Sequence, residues 1–195
     1  MKKHHSLLLF FSTLILSSLA CTVFVGGPDY SDRAPIPVSN EAAESLKEEI
    51  KHAFEAGVRT GEVTLNITEP QITSVLALRL QTDQSLQQDS QPLITEPQVY
   101  LRDGQMQIFG KTRQGMFTAN IGIIVAVSVD ENDEPKIDII SADFGPLPAP
   151  DGLRDAIASM IQEAYTGSVG PVATGLRVQT ITIANGIMSI VGRIR

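Results

Sequence analysis

The chain has almost none of the residue types on which enzyme and metal chemistry usually rests. Among 195 residues there is one cysteine, Cys21, and there is no tryptophan. A single cysteine excludes a disulfide framework within the chain and a thiolate metal site. Of three histidines, His4 and His5 lie ahead of an apolar run near the start, and only His52 lies beyond it. Ser-His-Asp, Cys-His and zinc arrangements therefore lack their usual parts, and no serine stands in a Gly-x-Ser-x-Gly elbow. His52 falls at the charged edge of a predicted helix and reads as a solvated side chain. The acidic run 130–134 lacks the spacing and central glycine of a calcium loop, so it reads as a hairpin tip in water. The expectation is a protein that is not an enzyme and uses no metal or cofactor.

Positive charge is scarce as well. Fifteen Lys and Arg face twenty-two Asp and Glu, a net charge of −7. Without Lys2 and Lys3 the remainder carries −9. A surface that acidic argues against nucleic acid and against docking on anionic headgroups by charge alone.

What the chain does have is a start built for export. Lys2 and Lys3 precede an apolar run from Leu7 to Leu16, and Ser17-Ser18-Leu19-Ala20 leads into Cys21. This is the basic, apolar and small-residue order of an export signal. Ser18-Leu19-Ala20-Cys21 resembles a lipobox, in which the cysteine thiolate takes a diacylglycerol, although Ser18 stands where leucine is common. The expectation is a signal peptide over residues 1–20 and a lipidated Cys21 at the outer face of the cell membrane. The competing readings are a secretory cleavage near Ala20 and an uncleaved anchor. Leu7 to Val25 is nineteen residues without charge, near the ~20 of a spanning helix.

Residues 26–38 hold Gly26-Gly27 and three prolines without apolar periodicity. Residues 21–38 thus read as a tether, of which Thr22–Val38 would reach about 55–60 Å when extended. Residues 39–195 read as one α+β domain. Ser39 is a candidate N-cap for an amphipathic helix bearing Leu46, Ile50, Ala53 and Phe54, with Gly57 as its stop. Val63, Leu65 and Ile67 alternate as in a strand. Thr68-Glu69-Pro70-Gln71 then forms a capping box that opens a short helix. Residues 81–92 are glutamine-rich and polar, and read as a loop. A second Ile-Thr-Glu-Pro-Gln, at 94–98, leads into alternation instead of a helix.

Asp103-Gly104 between alternating runs predicts a two-residue hairpin with Leu101 opposite Met106 and Val99 opposite Ile108. Its other side carries Tyr100, Arg102, Gln105 and Gln107. From Phe117 to Val129 every odd position is apolar, which predicts a thirteen-residue strand about 43 Å long that must twist and curve. The returning strand, Lys136–Phe144, changes apolar phase between Ile139 and Ile140, the mark of a bulge. A C-terminal helix with a stripe of Leu153, Ala156, Ile157, Met160, Ile161 and Ala164 follows, suited to the hollow of a curved sheet. Thr180–Arg195 closes as a hairpin around Asn185-Gly186. Residues 101–113 and 183–195 match at an offset of 82 as apolar-x-Asp/Asn-Gly-x-Met-x-Ile-x-Gly-basic-x-Arg. They read as two similar hairpins of one sheet or as an internal duplication. If they are neighbours, Lys111, Arg113, Arg193 and Arg195 form a basic rim suited to lipid phosphate.

The entry of Ile67–Ile72 into a helix, the Asp103-Gly104 hairpin, the long strand, the Gly145–Pro150 break and the final hairpin together resemble the YpmS-like proteins of Gram-positive envelopes. More distantly they resemble the tubular lipid-binding (TULIP) superfamily. The resemblance covers residues 40–195, and none of its motifs is catalytic. It implies a curved sheet wrapped around the C-terminal helix and a lipid or other hydrophobic ligand held between them. The candidate lining residues are Phe117, Ile121, Ile123 and Val125 with Ile157, Met160 and Ile161. The alternative is a filled core in a non-catalytic scaffold or interaction lipoprotein. Oligomeric state is left open.

Overall fold

The computed structural model describes residues 22–83, 87–88, 91–133, 135–149 and 175–194. Its elements follow the chain as β1 (Val23–Phe24), α1 (Asn40–Thr60), β2 (Glu62–Thr68), α2 (Glu69–Thr82), β3 (Gln87–Gln88), β4 (Gln91–Pro92), β5 (Thr95–Arg102), β6 (Gln105–Gln114), β7 (Phe117–Val129), β8 (Pro135–Asp143), β9 (Leu176–Ala184) and β10 (Ile187–Ile194). The class is α+β, with a strongly curled antiparallel half-barrel and, among the described residues, two helices. One sheet runs β7-β6-β5, with β8 and the short parallel β1 both on the other side of β7. A second sheet is ordered β2-β10-β9.

Both helices begin where side chains replace missing backbone partners. Ser39 Oγ accepts the Ala42 amide at 3.0 Å and so caps α1, a contribution of about 1 kcal/mol. The Thr68 amide donates to Gln71 Oε1 at 2.9 Å at the start of α2. Gly57 does not stop α1. The helix continues for three residues and ends at Gly61 with φ +80, the left-handed position that glycine takes without penalty. Gly57 instead sits where β2 crosses, and a Cβ there would lie 2.4 Å from Val63 Cγ2.

The first hairpin has the expected register, with Leu101 opposite Met106 and Val99 opposite Ile108. On β8, Ile124 faces Ser141 while Val125 faces Ile139, so Ile140 is the extra residue of a bulge. Apolar residues meet in two interior clusters. Ile121, Ile123 and Val125 of β7 pack with Leu80 of α2 and with Leu93 and Ile94. Leu101 packs with Ile67, Ile183, Met188 and Leu46 and thereby joins both sheets to α1.

Residues 22–38 are not a free tether. Val23 and Val25 donate their amides to Met116 O and Thr118 O at 2.7 and 2.9 Å, and the Asn120 amide returns to Gly26 O at 2.8 Å. Gln98 then mimics a peptide, accepting the Ile36 amide (2.6 Å) and donating to Ile36 O (3.2 Å). Ile36 and Tyr30 cover Tyr100 and Phe109 on the outer face of the sheet. The prolines read as spacer residues lie along a strap held by these contacts, which turns where the Arg33 amide donates to Tyr30 O at 3.1 Å. The side of the first hairpin read as polar is, around Tyr100, the floor beneath it.

The repeated hairpins belong to different sheets and meet turn to turn. Gly104 donates to Ile183 O at 3.1 Å and Gly186 donates to Leu101 O at 3.0 Å. Residues 101 and 183, like 104 and 186, are equivalent in the 82-residue repeat. The two bonds therefore exchange the same pair of positions, as a local two-fold axis requires.

Candidate functional site at the β6–β7 end of the long strand

β7 carries the expected lining residues, but they divide along its length. Ile121, Ile123 and Val125 are buried in the first interior cluster, whereas Phe117 is 42% exposed at the strand's start. Ile157, Met160 and Ile161, with the helix expected around them, lie outside the described residues, as do Cys21 and Arg195.

The basic rim does not assemble. Since the turns of the two hairpins meet, β6 and β10 lead away from the contact in opposite directions. Lys111 and Arg113 lie opposite Asn120 and Thr118 near the start of β7. Arg193 lies opposite Arg177, whose guanidinium reaches Asp133 beyond the far end of β7 at 3.7 Å. Most of the ~43 Å strand separates the two groups. Lys111 Nζ meets Glu96 at 2.7 Å, and Arg113 Nε donates to Gly115 O at 2.8 Å.

The β6–β7 end has its own geometry. Gly115, φ +60, fits the first central position of a tight hairpin turn, and Met116 projects beside it. β1 pairs Val23 with Phe117 and Phe24 with Thr118. Thr22, Phe24, Thr95, Lys111, Arg113 and Thr118 border a groove of about 490 Å³. Thr22 is the residue that follows Cys21.

A second groove, of about 390 Å³, lies between the strap and the first hairpin and includes Arg33, Pro35, Glu69, Tyr100, Arg102 and Gln107. Arg33 lies 4.9 Å from the Tyr100 ring centre and 4.7 Å from that of Phe109, and it donates to Gln107 Oε1 at 2.6 Å. Glu69 accepts the Leu101 amide at 2.8 Å and pairs with Arg102. Burial pushes the Tyr100 and Tyr30 hydroxyls up from their ordinary value. Each of these charged groups already has a partner within the fold, so the groove reads as a clasp. Its residues are spread over 74 positions from Arg33 to Gln107, and only the alternation of the hairpin hinted at any of them.

The acidic tip is likewise tied into the fold, Asp133 meeting Arg177 at 3.7 Å and accepting the Val178 amide at 3.0 Å. Asp130 accepts the Asn132 amide at 2.8 Å and its side-chain amide at 3.2 Å. Among the described residues no group of three or more His, Cys, Asp or Glu is placed to hold a metal ion. Compared with protein-family models, curated proteins and solved structures, the chain shows no match in any of the three.

Proposed function

We infer that this is a non-catalytic lipoprotein of the cell envelope, held to the outer face of the cell membrane through lipidated Cys21. Its half-barrel serves to take up lipid or another hydrophobic ligand. The observation that carries the anchor is the pairing of β1. Val23 and Phe24 are strand residues bound to β7, so they are withdrawn from any spanning helix. The charge-free run left to such a helix is Leu7–Cys21, fifteen residues. At 1.5 Å per residue that is about 22 Å, short of a hydrocarbon core of about 30 Å. Two or three acyl chains on one cysteine supply the multiple anchoring that stable attachment requires. Among the described residues no helix is long and apolar enough to cross a membrane.

For the ligand, the support is the curled sheet, the apolar inner positions of β7 and the resemblance to YpmS-like and tubular lipid-binding proteins, which is an analogy of fold. A second reading, a scaffold lipoprotein with a filled core, is favoured by the packing of Ile121, Ile123 and Val125 against Leu80, Leu93 and Ile94. Mass spectrometry of protein extracted from its own cells separates the two. Co-purifying lipid in fixed ratio supports the ligand, and a lipid-free body supports the scaffold. Cys21→Ser is expected to move the protein from the membrane to the soluble fraction; retention in the membrane would refute the anchor.

A further inference from the structure

Among the described residues, exposed apolar side chains gather at the β6–β7 end. Nine large apolar residues are exposed among the described ones, and four of them, Val23 (47%), Phe24 (58%), Met116 (60%) and Phe117 (42%), meet here. They come from β1, the β6–β7 turn and the start of β7, tied by the Val23 amide to Met116 O. Arg113 stands beside them, opposite Thr118, and Lys111, two residues away, is held by Glu96 at 2.7 Å. The charge is graded along β7, because the tip with Asp130, Glu131 and Asp133 closes its opposite end.

We propose that this end is a docking surface for the bilayer in which the protein is anchored, with Val23, Phe24, Met116 and Phe117 entering the interface and Arg113 meeting lipid phosphate. The proposal rests on the anchored reading above. Cys21 is covalently next to Thr22, and consecutive Cα atoms are only about 3.8 Å apart. A lipid on Cys21 therefore enters the membrane beside this patch, and the hydrogen bonds of the strap leave no slack between them. Apolar insertion beside cationic side chains is the pattern by which proteins lie at an interface. The acidic remainder of the chain is repelled by anionic lipid and faces away. The domain stands on the membrane on one defined end, with β7 rising from it.

The absence of tryptophan makes a clean test available. Met116→Trp and Phe24→Trp each place a single reporter in the patch of the full lipidated chain, and Val58→Trp places one on an exposed site of α1 (75% exposed). The proteins are bound to phosphatidylcholine–phosphatidylglycerol vesicles with brominated acyl chains. Expected is a blue-shifted emission, strongly quenched, for the residue 116 and residue 24 reporters, and an unchanged emission for the residue 58 reporter. Unquenched patch reporters on vesicle-bound protein overturn docking and leave the anchor standing. Equal quenching at all three sites also overturns docking. Lipidated protein that fails to bind vesicles overturns both. Two reporters in separate elements keep the test sound if one variant misfolds, which thermal unfolding reveals.

Discussion

Gly27→Ala should loosen the strap without unfolding the domain. Gly27 has φ +117, and a Cβ built there lies 2.2 Å from Asn120 O and 2.9 Å from its carbonyl carbon. Both neighbours are backbone, so no side chain can turn aside. Gly26, with φ +108, is the built-in control, because a Cβ there meets nothing within 4 Å. Each alanine carries a conformational cost of about 1–3 kcal/mol, which raises a local opening about 5- to 150-fold. Only at position 27 must the Asn120 peptide also move, and its amide holds Gly26 O. Loss of that bond adds about 1 kcal/mol, hence roughly a further fivefold. Hydrogen exchange at the Val23, Val25 and Asn120 amides reads the opening directly. Exchange at the Leu101 amide, held by Glu69 in the interior, should stay as it is. Equal exchange in the two variants would refute the close approach, and parallel acceleration at Leu101 would show that the strap is not a separate unit.

Leu101→Ala removes a side chain with 0% exposure at the junction of both sheets, and should cost about 2–5 kcal/mol in chemical denaturation; a cost below 1 kcal/mol would contradict that junction. Glu69→Ala leaves the Leu101 amide without its acceptor and should cost about 1–3 kcal/mol. Arg102→Ala loses a half-exposed ion-pair partner and a bond to Leu101 O, which keeps the Gly186 amide, so its effect should stay within about 1 kcal/mol; the reverse order would refute the clasp. Burial raises the Tyr30 and Tyr100 pKa values above the unfolded value of about 10. Their contribution to stability is thus complete below pH 10 and is lost as the pH climbs through the folded values. The ultraviolet absorbance of tyrosinate should show at least two of the three tyrosines ionising later in folded than in urea-unfolded protein, and coincident titrations would exclude this.

Features governed by a few neighbouring residues were legible in the sequence. Asp103-Gly104 fixed the hairpin register, the apolar alternation from Phe117 to Val129 bounded β7, and the phase change located the Ile140 bulge. The paired Ile-Thr-Glu-Pro-Gln segments show the limit. Glu69 opens a helix, whereas Glu96 adopts φ +50 beside a register shift in β5. The two differ only in what packs around them. The strap was illegible for a related reason. Its anchoring depends on Gln98, Asn120 and Tyr100, 62 to 92 residues from their partners, and glycine with proline is also the composition of a flexible linker. The split of the basic rim followed from relative placement of the hairpins, which periodicity does not encode.

The reciprocal bonding of the two turns also sets an order of assembly. Leu101 and Gly104 acquire their partners only once Ile183 and Gly186 exist. β2, complete at residue 68, finds its sheet neighbour only in Ile187–Arg193. A chain emerging from its N-terminus can form the first hairpin and β7 early, but the second sheet closes only with β10, whose turn also meets the first hairpin. Contacts of such long separation slow folding. On the export reading proposed above, that delay keeps the body unfinished, and so able to be threaded, until Ile187–Arg193 have been made.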